Sequence, residues 1–306
     1  MGTWLEGKTL ADKIKEEVRE EVAHYLKTRN EVPGLAAILV GENRGSQVYV
    51  RTKERTCKAL GIYSEVLAFP GGIEAQALKS RIEVLNQRKE VDGILVQLPL
   101  PSPLNSSEII STILPEKDVD GFHPYSLGTL LLNQPGFKPC TPLGIIELLK
   151  FNKIGIEGKN VVVIGRSMIV GKPLAAMMTN ENGTVTTCHT KTKNLPEIAS
   201  KADILVVAMG RAVYVQPEWV KPGATVIDVG MNSLSDRAQV EELFVKDEKR
   251  KKDLKEKGYT LVGDVHPRAI ERAEYLTPVP GGVGLLTVAM LMRNTLEAFK
   301  KRRGLK

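Results

Sequence analysis

NVVVIGRSMIVGKPLAAMM, from Asn160 to Met178, decides how this chain folds. Val161, Val162, Val163 and Ile164 form an unbroken apolar run, the pattern of a strand covered on both faces. Gly165 permits a tight turn, Ser167 takes the place of a second glycine, and Gly171 lets the next helix pack closely. Amides at that helix start would face a diphosphate, because orphan N–H groups and the helix dipole favour negative charge. The spacing G-x-S-x-x-x-G is one residue longer than the usual dinucleotide fingerprint, and Arg166 and Ser167 add side-chain donors for phosphate. The bland alternative is an α/β crossover that needs glycine for packing alone.

Outward from this segment, strands and helices alternate in both directions, so a two-domain α/β protein is expected. Towards the N-terminus, Leu10, Ile14, Val18, Val22 and Leu26 repeat every four residues and predict an amphipathic helix ending before Pro33-Gly34. Strands over 35–40, 62–69 and 93–98, with helices over 46–60 and 73–88, give β-α-β-α-β and a small parallel sheet. An apolar helix over 143–151 reads as the linker between domains. Strands over 184–188, 204–208, 225–229 and 260–262 follow the cofactor strand. Ser233 to Lys257 reads as a charged surface helix or hairpin insertion, and a long apolar helix runs from Gly281 to Lys301.

The 306 residues carry 43 basic and 36 acidic side chains, a net charge of +7. The excess gathers in two clusters, Arg250 to Lys257 and Lys300 to Lys306, which read as solvated helix faces and a frayed tail. Without interleaved aromatics they do not indicate nucleic acid, while an anionic small ligand suits the balance. Cys57, Cys140 and Cys188 are too widely spaced for a disulfide framework or a zinc motif, and the four histidines form no ligand set. With neither a signal peptide nor a long apolar span, a soluble cytoplasmic protein that does not engage membrane is expected.

Tyr49 and Lys53 stand one helical turn apart and share a face, as a stacking and proton-transfer pair would. A surface Tyr–Lys pair has the same spacing. Gln97 lies in the apolar run GILVQLPL, where a buried amide needs a partner, and a lysine amine or a neutral core network could supply it. Asp118 and Asp120 occupy the loop PEKDVDGFHP, either as turn formers or as a carboxylate accepting paired N–H bonds from a heterocycle. An NAD-selective site would carry an acid at the end of the second strand. TVTTCHTKT, 184–192, has none there, and Thr190 and Lys191 with Arg166 could hold a 2′-phosphate, so NADP is favoured. Cys188 and His189 are neighbours on one strand, point to opposite faces and read as structural.

Taken jointly, SQVYVRTKERTCKALGI (46–62), GILVQLPLP (93–101), PEKDVDGFHP (115–124), GRSMIVGKP (165–173), VKPGATVIDVGMN (220–232), LVGDV (261–265) and TPVPGGVG (277–284) resemble the bifunctional methylenetetrahydrofolate dehydrogenase/cyclohydrolase family. The resemblance implies oxidation of 5,10-methylenetetrahydrofolate with NADP and hydrolysis of the methenyl product to 10-formyltetrahydrofolate. It implies Lys53 as the central acid/base, Tyr49 stacking on the folate, Gln97 tuning Lys53, and Asp120 gripping the pterin edge. It adds Gly282 and Val283 as folate contacts, and Gly165, Arg166, Ser167, Val170, Gly171 and Thr190 as cofactor contacts. Lys53 is then expected to be partly desolvated with folate bound. The implied domains are a catalytic α/β domain over 1–142, completed by a C-terminal helix over 283–306, and a Rossmann-like NADP domain over 143–282, facing a cleft in a homodimer. One departure is marked: Leu285 and Leu286 replace the family's Pro and Met, which frees a backbone N–H beside the folate segment. An amino-acid or shikimate type dehydrogenase and a non-catalytic NADP-binding protein share the two-domain shape, but neither gives the Asp120 loop or the Tyr49–Lys53–Gln97 set a role.

Overall fold

The computed structural model describes residues 2–245 and 247–305, which form two compact units. After a two-residue strand β1 (Thr3–Trp4), the first half contains α1 (Lys8–Arg29), β2 (Gly34–Val40), α2 (Arg44–Leu60), β3 (Tyr63–Phe69), α3 (Ala75–Gln87), β4 (Gly93–Val96), α4 (Ser106–Ile110) and α5 (Pro124–Leu131). Residues 11–140 make one unit with 287–306. Its sheet is parallel, ordered β3-β2-β4, and central β2 is buried along its whole length. Leu78, Ile82 and Leu85 of α3 pack on one side of it with Ile38, Ile94 and Val96.

Three sequence expectations shift here. Leu26 is 51% exposed while Tyr25 is buried. A spacing of four drifts about 40° per step around a helix of 3.6 residues per turn, so the stripe leaves the core by its fifth member. Strand β4 ends at Val96, leaving Gln97 just beyond it and half-buried. Arg302 and Arg303 are not a frayed tail: both donate to the fully buried Asp92 carboxylate, at 2.6 and 2.5 Å. A guanidinium with several donors can satisfy a buried carboxylate while its aliphatic stem packs.

The second unit comprises residues 141–286 with the first ten. Its elements are α6 (Cys140–Phe151), β5 (Asn160–Ile164), α7 (Gly171–Asn180), β6 (Thr184–Cys188), α8 (Leu195–Ala199), β7 (Ile204–Val207), β8 (Thr225–Asp228), β9 (Asn232–Leu234), α9 (Arg237–Leu243), α10 (Glu248–Lys257), β10 (Thr260–Val262), β11 (Tyr275–Leu276) and the start of α11 (Val283–Arg302). Helix α6, expected as a linker, buries Ile145, Ile146, Leu148 and Leu149 and is a packed element. The main sheet is parallel with order β1-β11-β8-β7-β5-β6. Strand β10, expected beside these strands, instead pairs antiparallel with β9. The places at that edge go to β11 and β1, so residues 3–4, expected in the catalytic domain, join the cofactor unit through parallel pairing.

Candidate active site

Helix α2 leaves the central strand of the first unit and turns one face inward, burying Ser46, Val50, Lys53, Cys57 and Leu60. Asn43 caps its start by accepting from the Ser46 amide at 2.9 Å, and Gly61 closes it in the left-handed region. Lys53 is only 6% exposed, and its Nζ donates to Gln97 Oε1 at 3.0 Å. Gln97 reaches that position because its backbone amide donates to the Ile38 carbonyl at 2.9 Å, one step past the end of β4. Its own Nε2 donates to the Leu98 carbonyl at 2.8 Å, which fixes the amide orientation and turns the oxygen to the lysine.

Tyr49, one turn earlier, is half-buried, and burial raises its phenol pKa. Asp120 is also half-buried; burial raises its carboxyl pKa, while the charge of Lys53 pulls it back down. The loop that carries it is built by its neighbour. Asp118 accepts from the Phe122 and His123 amides and from Ser126 Oγ, the last at 2.6 Å, so it is the turn former. Asp118 thus frees Asp120 from that duty. Cys140, buried beside Asp120, has its thiol pKa pushed well up, first by burial and then by the carboxylate. Lys53, Gln97 and Asp120 are therefore brought together from three separate segments.

In the other unit, strand order reverses between β5 and β7, the place where α/β sheets bind ligands beyond the carboxyl ends of their strands. Gly165 adopts φ +139°, and a side chain there would meet the Ala208 carbonyl oxygen at 2.4 Å. A Cβ on Gly171 would lie 2.1 Å from the Gly165 oxygen. Both positions accept only glycine, and the backbone amides of the turn can approach a ligand closely. Arg166 and Ser167 are exposed on this turn, and Val170 is buried beneath it. Ser167 Oγ accepts from the Val170 and Gly171 amides at 3.2 and 3.4 Å, so its oxygen caps the helix start and its hydrogen remains to donate. Thr190 and Lys191 are exposed beyond the end of β6, and no carboxylate stands there. The glycine cradle and the missing acid fit NADP.

One contributor escaped the sequence reading. Asp264, fully buried, accepts from the Met209, Gly210 and Arg211 amides at 2.6, 3.0 and 2.8 Å, and from Asn232 Nδ2 at 2.8 Å. It fixes the loop after β7 that faces the glycine turn. Its only sequence signal is an acid inside the apolar run LVGDV.

Two models of one family together match most of the chain. The tetrahydrofolate dehydrogenase/cyclohydrolase catalytic domain matches residues 5–120, and the NAD(P)-binding domain of the same family matches 139–303. The chain belongs to this family. It is 51% identical over 304 residues to the bifunctional protein FolD of Koribacter versatilis, covering 99% of both chains. The bifunctional FolD methylenetetrahydrofolate dehydrogenase/cyclohydrolase of Campylobacter jejuni superimposes with a TM-score of 0.88 at 42% identity, covering 99% of this chain and 100% of that one. The Trypanosoma brucei enzyme, solved with NADP cofactor and an inhibitor, gives 0.89 at 37% identity over 99% and 98% of the two chains. Against the family pattern, Leu286 is fully buried on Gly144, where a Cβ would meet it at 2.8 Å, and Leu285 stays partly exposed.

Proposed function

We infer that this chain oxidises 5,10-methylenetetrahydrofolate to 5,10-methenyltetrahydrofolate with NADP and hydrolyses that product to 10-formyltetrahydrofolate, serving one-carbon metabolism. The observation that carries the chemistry is the buried Lys53 amine held on the Gln97 amide oxygen at 3.0 Å. NADP, when bound, accepts the hydride that leaves the methylene carbon. In the second step water adds to the methenyl carbon and releases one proton; as the bond from that carbon to N5 breaks, the remaining hydroxyl proton passes to N5 and leaves the formyl C=O. Lys53 is the group that relays this proton, since its buried amine is held at the site by the Gln97 oxygen. Gln97 orients it, and Tyr49 stacks on the folate. Asp120 accepts from the amino-pyrimidine edge, a bidentate match that its half-buried carboxylate favours. Gly282 and Val283 contact the same substrate. Gly165, Arg166, Ser167, Val170, Gly171 and Thr190 bind the cofactor, with Arg166, Thr190 and Lys191 holding its 2′-phosphate.

A homodimer and a cytoplasmic location complete this reading. The exposed edge of β6 supports the first, and three free, buried thiols suit a reducing compartment. Among the described residues no helix is long and apolar enough to cross a membrane.

Purified protein given methylenetetrahydrofolate with NADP or NAD tests the reading, with reduced cofactor and methenyl intermediate followed separately. Reduced cofactor should accumulate faster with NADP, and methenyl should decay. Persistent methenyl would remove the hydrolase step, and faster turnover with NAD would remove the cofactor assignment.

A further inference from the structure

In the charged insertion between β9 and β10, the Arg250 side chain is largely withdrawn from solvent. Arg250 lies in the first turn of α10, its guanidinium 4.0 Å above the Phe244 ring centroid and its Nε 3.0 Å from Asp247. The two terminal nitrogens donate outward from the insertion, Nη1 to the Leu261 carbonyl and Nη2 to the Val279 carbonyl. The helix start holds the residue in place, since Asp247 Oδ1 accepts from the Arg250 amide at 3.2 Å. Its neighbour Lys252, by contrast, is exposed and pairs with Glu256 on its own helix. Sheer positive charge is therefore not what distinguishes Arg250.

Val279 belongs to the segment TPVPGG, 277–282, which leads directly into Val283 at the start of α11. The segment's ends are anchored, with Thr277 and Val283 buried and the Gly7 amide donating to the Gly281 carbonyl at 3.0 Å, but one side of its middle is open. A cavity of 470 Å³ borders it, lined among others by Thr277, Pro278, Pro280, Phe244 and Arg250. On that side Pro278, Val279 and Pro280 lack the dense dispersion contacts that fix a fully packed loop. Gly281 and Gly282 add no stiffness of their own. A planar guanidinium, with donors set in a rigid fork, can hold two carbonyls at a fixed separation where packing cannot.

We propose that Arg250 is a positioning residue for the folate: it ties the Val279 carbonyl to that of Leu261 and so holds the 278–283 turn in the shape that presents Gly282 and Val283 to the substrate. This rests on the reading of Gly282 and Val283 as folate contacts. The insertion is then a bracket for a substrate loop, with its lysines as solvated helix surface.

The test uses the full-length enzyme with Arg250→Met, Arg250→Lys and the control Lys252→Met. KM and kcat for methylenetetrahydrofolate, Kd for NADP and Tm are measured for each. Losing hydrogen bonds from a charged donor should raise the folate KM about tenfold in Arg250→Met and about threefold in Arg250→Lys. The same changes should leave kcat and NADP affinity within about twofold. Lys252→Met should match the parent. A lower Tm with unchanged folate KM would overturn the proposal and leave Arg250 a purely structural residue. If Arg250→Met does not fold, amide hydrogen exchange in Arg250→Lys decides. Faster exchange confined to residues 277–284 is expected, and unchanged exchange there overturns it. Val283→Ala separates this idea from its foundation. If Val283→Ala leaves folate KM unmoved, the folate reading of the turn fails and takes the proposal with it. If it raises KM while the Arg250 variants do not, only the bracket fails.

Discussion

The glycine turn after β5 and the Lys53 cluster beside β4 are built from opposite materials. The turn is backbone: Arg166, Ser167, Met168 and Ile169 point to solvent, while Gly165 and Gly171 leave no room for even a methyl group. The Lys53 cluster is side chain: an amine, an amide and a carboxylate come from a helix, a strand end and a loop. A backbone site should tolerate changes in its exposed side chains and fail when a Cβ is added. A side-chain site should fail when one functional group is removed and stay folded.

The largest effect separating the two is expected from Lys53→Met. Loss of a general acid/base typically costs 10²–10⁴ in rate, so the cyclohydrolase step should fall about 1000-fold. NADP affinity, measured by calorimetry, should stay within about twofold. Retention of a tenth of the cyclohydrolase activity would take Lys53 out of the chemistry.

Asp228 offers a contrast inside the cofactor unit, because it is buried as Lys53 is but should act on stability alone. Burial pushes its carboxyl from 3.8 up to about 7, against the pull of the Asp264 and Val265 amides that it accepts from. Between those two values the folded chain keeps a proton that the unfolded chain has released. Stability should therefore be highest near pH 4 and fall as pH rises through 7, by up to about 4 kcal/mol from this group. Asp228→Asn should flatten that slope in urea titrations run across the window. An unchanged slope would show that Asp228 stays ionised in the fold.

The smallest effect expected is at the glycine turn. Gly171→Ala forces a methyl against the Gly165 carbonyl, and overpacking of this kind costs about 1–3 kcal/mol, so NADP affinity should drop about tenfold or more. Ser167→Ala should cost only about threefold, since the helix-start amides remain available. Equal losses in the two variants would show that the turn binds through its side chains.

These differences also explain what could be read in advance. The β5 run and its glycines are legible because period and turn chemistry are local properties of consecutive residues. The spacing of Tyr49 and Lys53 gives a shared helix face, but not whether that face is wet. Only the meeting of Lys53 with Gln97, 44 residues away, settles that, and no local pattern encodes it. Strands β1 and β11 are two residues each, too short to show a period of two. Arg250, Arg302 and Arg303 stand in lysine-rich runs that look the same whether each guanidinium is solvated or clamped on buried acceptors. Asp264 gives no more than a charge in an apolar run, and its loop-holding role emerges only from the fold.

The central claim is that Lys53 and Gln97 act as one proton-handling unit. A double-mutant cycle with Lys53→Met, Gln97→Leu and the pair, read in the cyclohydrolase step, tests it most directly. Strong coupling is expected: the double variant should be about as slow as Lys53→Met alone, because the amide matters only through the amine it holds. If the two losses instead multiply, each residue works independently and the unit does not exist.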